Sequence, residues 1–455
     1  MTSAGHEIPF ATALRTWARI GLESFGGPAG QIAVMHRVLV EEKRWISEQR
    51  FLHALSYCML LPGPEAQQLA TYVGWLLHRT KGGLAAGLLF VLPGFVTILL
   101  LSLVYAAYGN LPVVAAIFWG IKPAVLALVL EALLRISRRA LKHRLHAWIA
   151  AAAFVAIFAL RVPFPLIVFG AAALGLALQR LVPGFVPENE PAAAATGAPA
   201  AVDALLDRET PAHTQPSLAR SLRVAALWGA LWATPIAVLF ATLGGANVYT
   251  QLAVFFSKMA VVTFGGAYAV LAYVAQQAVE VHGWLAPGEM LDGLGMAETT
   301  PGPLIQVVQF VGFLAAYRQP GALTPWVAGT LAAVLTTWVT YVPCFLWIFL
   351  GAPYVERLRS SRALRGALAC ITAAIVGVIG NLTVWFSLHV LFGSVRDVPV
   401  GPLSLQIPAW ETVDGAAVAI AVAAAIATLR FHAGVFALLG GSALAGLLWR
   451  IGFGG

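Results

Sequence analysis

The sequence predicts an all-α polytopic membrane protein: two inverted-topology repeats with broken, re-entrant helices, joined by one unpaired transmembrane helix. Three observations predict it: long apolar runs, a duplicated pair of helix-breaking motifs, and basic loops whose placement reverses between the halves. Of the 455 residues, 60% are hydrophobic and 11% charged, with a mean hydropathy of +0.82. A soluble domain carries about 25% charged residues. Stretches 84–108, 324–350 and 366–392 exceed the roughly 18 apolar residues that mark a membrane span. Their apolarity is continuous rather than alternating, which excludes a β-barrel.

The duplication is exact in spacing. Phe25-Gly26-Gly27 is followed by Pro62-Gly63-Pro64, and Phe264-Gly265-Gly266 by Pro301-Gly302-Pro303; 264 − 25 and 301 − 62 both equal 239. At the same offset Trp45 falls on Trp284, Glu41 on Glu280 and Gln67 on Gln306. After an insertion of eleven residues around 318–328 the offset becomes 250, and Pro93 falls on Pro343 and Glu131 on Asn381.

Taken in order, residues 8–25 form an apolar helix with Arg15, Arg19 and Glu23. Gly26-Gly27 lets the backbone leave helical geometry, and Pro28 suits the first turn of a new helix. That second piece, 28–40, is too short at 1.5 Å per residue to cross a hydrocarbon core of about 30 Å. Residues 51–61 and 65–77 are again short pieces, broken by Pro62-Gly63-Pro64, and spans follow at 84–108, 111–134, 147–160 and 162–178. The first repeat is therefore 8–182. Residues 183–221 are rich in Pro, Ala, Asp, Glu and Thr, and read as a solvated cytoplasmic linker. A connecting transmembrane helix at 222–246 has no counterpart in the first half. The second repeat, 247–452, has broken pieces at 248–264, 267–280, 290–300 and 303–317, then spans near 324–350, 366–392, 412–428 and 433–449.

Basic short loops mark the cytoplasm. Loop 36–50 holds Arg37, Lys43, Arg44 and Arg50, and loop 135–144 holds five basic residues, while their mates 275–289 and 385–394 hold no Lys or Arg. Loop 357–365 holds four arginines and its mate 107–115 has none. The halves therefore face opposite ways, with the connecting helix supplying the odd crossing. The predicted N-terminus is cytoplasmic and the C-terminus external. Basic loops on both sides of 51–77 make that segment a re-entrant hairpin with its tip at Pro62-Gly63-Pro64.

Several function classes fall away. The net charge of +8 is scattered in short loops, whereas a nucleic-acid surface needs a basic soluble domain. Cys58, Cys344 and Cys370 are far apart in apolar sequence, so neither a disulfide framework nor a thiolate metal site is indicated. No dinucleotide fingerprint, Cys-x-x-Cys or haem-ligand pair points to a redox cofactor, so neither an enzyme nor any cofactor is expected.

Non-helical backbone at membrane depth survives only inside protein or beside a wet cavity, and paired broken helices point to a transporter's binding site. Helix starts near Pro28, Pro64, Ala267 and Pro303 offer free N–H groups and partial positive charge, which suits an anion. The simpler alternative is that the breaks only permit tight helix packing. Arg19 and Lys258 are repeat mates, each six residues before its Phe-Gly-Gly. A cation at that depth costs at least about 2.5–3.5 kcal/mol without a partner or water. Both are candidates to hold a dianion; otherwise Arg19 snorkels to headgroups and Lys258 sits in a structural ion pair. Glu23, Glu65 and Glu298 are candidate proton carriers, or partners for those cations. Gln31, Gln67, Gln306, Gln309, Thr299 and Thr300 are candidate donors to an oxyanion, although helix–helix bonding is the commoner use of such side chains. Lys122 and Glu131 are expected to pair within the bundle or reach its edges.

Phe25-Gly26-Gly27-Pro28, Pro62-Gly63-Pro64-Glu65, Phe264-Gly265-Gly266 and Glu298-Thr299-Thr300-Pro301-Gly302-Pro303 resemble the signatures of the chromate ion transporter family in its long, two-domain form. The resemblance covers nearly all of the chain outside the linker and the N-terminal tip. It implies export of chromate, a sulfate-shaped dianion, across the bacterial inner membrane, giving chromate resistance and driven by the proton gradient. The alternatives are an exporter of sulfate or a related oxyanion, a passive anion channel and a membrane redox enzyme.

Overall fold

The computed structural model describes residues 8–181, 214–264, 267–355, 361–401 and 403–452. Gly265 and Gly266 lie outside the described residues, as does most of the expected linker. The first half contains α1 (Phe10–Glu23), α2 (Gly27–His36), α3 (Glu48–Cys58), α4 (Glu65–Tyr108), α5 (Pro112–Ala140), α6 (Arg144–Phe158) and α7 (Phe164–Leu181). After α8 (Leu218–Leu243) the pattern returns as α9 (Val248–Val262), α10 (Ala267–Gln276), α11 (Pro287–Thr299), α12 (Val307–Arg318), α13 (Pro325–Gly351), α14 (Arg362–Leu391), α15 (Gly415–Phe431) and α16 (Val435–Gly452). Among the described residues, seven helices are long and apolar enough to cross a membrane, and the protein is an all-α polytopic membrane protein.

Where the described residues cover them, the expected breaks interrupt the helices. Gly26 takes the left-handed conformation (φ 78°, ψ 37°) that starts α2, with Pro28 in the first turn. Gly63 (φ 121°) and Gly302 (φ 92°) turn the chain between the prolines of their motifs. Side-chain caps fix other starts: Ser47 accepts from the Arg50 N–H at 3.3 Å, and Asn247 accepts from that of Tyr249 at 3.0 Å. The helix α8 begins four residues before the expected 222, extending into a stretch with Arg220 and Arg223.

The helix that follows each Pro-Gly-Pro folds back on the span after it. In α4 the helical path breaks at His78 (φ −134°, ψ 30°) and Arg79 (φ 54°, ψ −151°). A Cβ on Gly74 would lie 2.5 Å from Gly82 O and 2.6 Å from Ala86 Cβ, so the two arms touch. The chain between the expected 65–77 piece and the 84–108 span is thus a tight reversal at His78 and Arg79. In the second half α12 lies against α13 in the same way, where a Cβ on Gly312 would be 2.4 Å from Thr336 Cγ2.

Two compact units result, and each draws on both halves. The first gathers α1 to α3, α4 as far as Leu99, α8, α9, α12 and α13. Its core packs Trp17, Ile20, Phe51, Tyr57 and Phe90 with Phe345 and Phe349 of α13. Trp228 of α8 stacks on Phe345 at 5.3 Å between ring centroids, and little else of α8 is buried. The second unit holds α5 to α7, α10, α11 and α14 to α16. There each long span meets the closing helix of the other half, α5 against α16 and α14 against α7. Small residues make that approach possible: a Cβ on Gly120 would fall 2.3 Å from Ser442 O, and one on Gly175 2.3 Å from Gly366 O.

One element departs from the expectation. After α14 the chain forms an antiparallel hairpin, β1 (Val395–Val400) with β2 (Leu403–Pro408), pairing Val395 with Pro408. It is anchored by an Arg161–Asp397 ion pair at 3.0 Å and by a 3.3 Å bond from Gln406 Nε2 to Glu280. Leu403, Leu405 and Ile407 alternate with Ser404 and Gln406 in the period of a strand, and Pro399 and Pro408, which donate no ladder bond, obscure the signal.

Candidate functional site

The described parts of all four breaks lie in the first unit, and the backbone ties them together crosswise. The Gly63 N–H donates to Thr263 O at 2.8 Å, and the Gly302 N–H donates to Ser24 O at 2.8 Å. These two bonds exchange under the repeat, since 24 + 239 = 263 and 63 + 239 = 302. Each Pro-Gly-Pro of one half is therefore bonded to the residue just before Phe-Gly-Gly of the other half. Ser24 and Thr263 match further, since their hydroxyls donate back to Ile20 O at 2.6 Å and Met259 O at 2.5 Å.

The motifs are also seated on matching positions. A Cβ on Gly302 would meet Gly94 Cα at 3.3 Å, and one on Gly63 would meet Cys344 Sγ at 2.8 Å. Gly94 and Cys344 are mates at the offset of 250. Each glycine thus has two reasons to lack a side chain, its positive φ and its close neighbour.

The glutamines around the breaks are buried, and their amide N–H groups are engaged. Gln31 Nε2 donates to Gly302 O at 2.6 Å, Gln68 Nε2 to Pro62 O at 2.7 Å and Gln67 Nε2 to Thr71 Oγ1 at 3.1 Å. Gln306 Nε2 donates to Thr337 Oγ1 at 3.1 Å and also to Gln309, whose own Nε2 donates to Phe95 O at 3.0 Å. What Gln67 and Gln306 leave over is their Oε1 atoms, both buried and without a donor among the described residues. Thr299 turns back to Met296 O at 2.9 Å, and Thr300 is buried. No side chain caps the start of α2, so its first N–H groups remain the available donors there.

The charges sort differently. Arg19 is exposed and bound in a closed set of four: its guanidinium meets Glu23 and Glu42 at 2.7 Å each, and Arg37 meets Glu23 at 2.7 Å and Glu42 at 3.5 Å. The Arg19 guanidinium also holds the Glu42 carboxyl below the usual carboxylate range. Two positive and two negative charges leave no surplus. Lys258, its mate, is exposed on α9 and meets no carboxylate among the described residues. Glu65, in the first turn of α4, is partly buried. Glu298 belongs to the second unit, where it is buried and accepts from the Tyr268 hydroxyl. Lys122 and Glu131 do not pair with each other: Lys122 faces Asp292 at 3.5 Å, and Glu131 holds Arg135 at 2.6 Å.

The first unit thus brings together Gly26, Gly27, Pro28, Pro62, Gly63, Pro64, Pro301, Gly302 and Pro303, with Lys258 on the helix that enters one break. Glu42, Arg37 and Asp292 are the polar partners missed at the sequence level. Arg37 and Glu42 are the two ends of a π-helical turn that continues α2, in a stretch rich in charge, and Asp292 has no acidic mate, since 292 − 239 falls on His53.

The sequence profile of chromate transporters matches residues 11–176 and 250–447. A chromate transport protein of Pseudomonas aeruginosa is 33% identical over 373 residues, spanning 80% of this chain and 78% of that protein. A chromate transport protein of Cupriavidus metallidurans is 26% identical over 85% of this chain and 84% of its own. A probable chromate transport protein of Synechococcus elongatus is 27% identical over 86% and 88%. No solved structure matches the chain. With both halves covered by the profile, the chain belongs to the chromate transporter family.

Proposed function

We propose that this protein is a secondary transporter that exports chromate across the inner membrane, coupled to proton movement, and so confers chromate resistance. The observation that carries this reading is the crossed pair of backbone bonds, Gly63 to Thr263 and Gly302 to Ser24, which draws the helix breaks of both halves into one unit. The starts near Pro28, Pro64 and Pro303, gathered in this way in the first unit, present N–H groups and positive dipole ends to an oxyanion, while the helix that starts at Ala267 belongs to the second unit. Lys258 supplies the uncompensated charge, and Arg19 is held in reserve by its acidic partners. Glu65 and Glu298 are the proton-carrying candidates that stand outside that network, with Glu23 committed to Arg19 and Arg37. In this reading the halves are inverted repeats, with the N-terminus cytoplasmic and the C-terminus external.

Uptake into inverted vesicles tests it, comparing chromate with sulfate, with and without a proton gradient. Chromate accumulation that collapses with the gradient is expected. Accumulation of sulfate alone would move the substrate to another oxyanion. Equilibration without accumulation, whatever the gradient, would make the protein a passive anion channel. A reporter fused to the C-terminus is expected to read as external; a cytoplasmic reading breaks the inversion.

A further inference from the structure

A cavity of about 770 Å³, with a mixed polar and apolar wall, opens in the second unit. Its wall includes Lys122, His389, Arg450, Trp119, Glu411 and Asp414. The acidic groups there are occupied. Asp414 caps α15, accepting from the Ala416 and Ala417 N–H groups at 3.1 and 3.0 Å, and Glu411 meets Arg396 at 3.5 Å. The Arg450 guanidinium lies over the Trp119 ring, 4.9 Å from its centroid, which keeps its charge at the wall.

Lys122 is shared between this cavity and a buried carboxylate. Its side chain is 25% exposed, and Nζ lies 3.5 Å from Oδ1 of Asp292, which is 4% exposed. That distance is an ion pair but not a hydrogen bond, and Asp292 Oδ1 has no hydrogen-bond donor among the described residues. The other oxygen, Oδ2, accepts from the Tyr105 hydroxyl at 2.9 Å. Gly288, in the first turn of α11, makes room for the ammonium: a Cβ there would sit 2.7 Å from Nζ. The loosely held Lys122 is therefore positioned to swing toward an incoming anion.

We propose that this cavity binds a free inorganic oxyanion through Lys122, which Asp292 otherwise holds. When the anion takes Lys122, Asp292 is left buried with Tyr105 as its remaining bond, and a buried unpaired carboxylate takes up a proton. Anion binding here is thus linked to uptake of one proton. The charged groups around Asp292 are Lys122 of α5 and Glu289 one turn earlier on α11, with Tyr105 of α4 as the other titratable neighbour. His389 and Arg450 face the cavity beyond Lys122, with Glu411 and Asp414.

The test uses full-length Lys258→Gln protein, which removes the charge of the proposed transport site, so that failure here and failure of the transport reading stay separate. Sulfate binding is measured by equilibrium dialysis in nanodiscs of phosphatidylcholine. Lys122→Met is expected to weaken sulfate binding at least about tenfold, the scale of one lost charge-assisted hydrogen bond. Asp292→Asn is expected to tighten it severalfold, because nothing then competes for Lys122. The strengthening of binding as pH falls should shrink in Asp292→Asn. A purely structural ion pair predicts the reverse, with Asp292→Asn weakening or not changing sulfate binding, and that result overturns the proposal. So does full pH dependence in Asp292→Asn, or sulfate binding that disappears when phosphatidylglycerol is added, which would assign the cavity to lipid phosphate.

Discussion

The helices that lead into the Phe-Gly-Gly breaks share a backbone design and differ in charge. On α1 and the segment after α2 the set Arg19, Glu23, Arg37 and Glu42 closes on itself. The same positions in the second half, offset by 239, are Lys258, Val262, Gln276 and Val281. The second half has the cation but neither carboxylate nor the second arginine. The crossed hydrogen bonds, by contrast, have the same donor, acceptor and length in both halves. The two halves thus match in the backbone bonds that build the breaks and differ in the charges on the helices that lead into them. On the function proposed above, symmetric charge is not required, because one uncompensated cation together with helix N-termini favours an anion.

The largest test of that difference is Lys258→Gln. Losing a charge-assisted contact worth about 2–3 kcal/mol predicts a fall in transport of roughly 30- to 150-fold at low substrate. Vesicle uptake measures it, with the melting temperature of purified protein as the control for folding. Restoring the missing acid should act almost as strongly. Val262 is the counterpart of Glu23 and lies one turn from Lys258, so Val262→Glu is expected to silence transport while Val262→Gln leaves more of it. Equal losses in the two variants would mean that size, not charge, matters at this turn.

The glycines sharpen the conserved side of the comparison. Gly63 has φ 121° and a close sulfur neighbour, Gly302 has φ 92° and a close backbone neighbour, and Gly26 has φ 78° with nothing within 4 Å of where a Cβ would stand. Substitution by alanine should lower the melting temperature most at Gly63 and Gly302. At Gly26 the cost is the bare left-handed strain of about 1–2 kcal/mol. Differential scanning fluorimetry of the three variants checks the order, and an equal or larger loss at Gly26 would contradict the packing described around the other two.

How much of this was legible in sequence follows from the range of each interaction. Gly26-Gly27 with Pro28, and Gly63 or Gly302 between prolines, act on their own backbone, so the breaks are readable locally. The spacing of 239 made the pairing of halves readable too. The crossing was not, because Gly63 and Thr263 meet through backbone atoms that every residue carries. The partners of Arg19 are a matter of reach: Glu23 is one helical turn away, but Glu42 arrives only through the turn after α2. Gln67 and Gln306 looked like donors, and only the fold shows their N–H groups spent and their oxygens left over. Asp292 carries no repeat signal, and it becomes visible only when α11 lies beside α5 and brings it to Lys122.

The smallest effect should come from dismantling the closed charge set. All four members reach solvent, with side-chain exposures of 43% for Arg19, 49% for Arg37 and 36% for each glutamate. Exposed ion pairs contribute roughly 0–1 kcal/mol each, and salt screens them. Arg19→Gln, with Glu23→Gln and Glu42→Gln made separately, should shift the melting temperature by only a few degrees and less in high salt. Transport should stay within about threefold of the parent, since a change of that size corresponds to under 1 kcal/mol. A loss in Arg19→Gln as deep as that in Lys258→Gln would return Arg19 to the anion and make the two halves equivalent in charge as well as in backbone. A gain in anion affinity in Glu42→Gln would say that the acids restrain Arg19 rather than retire it. Either result would be read from the same pair of uptake curves, and the contrast between the halves stands only if both curves stay close to the parent.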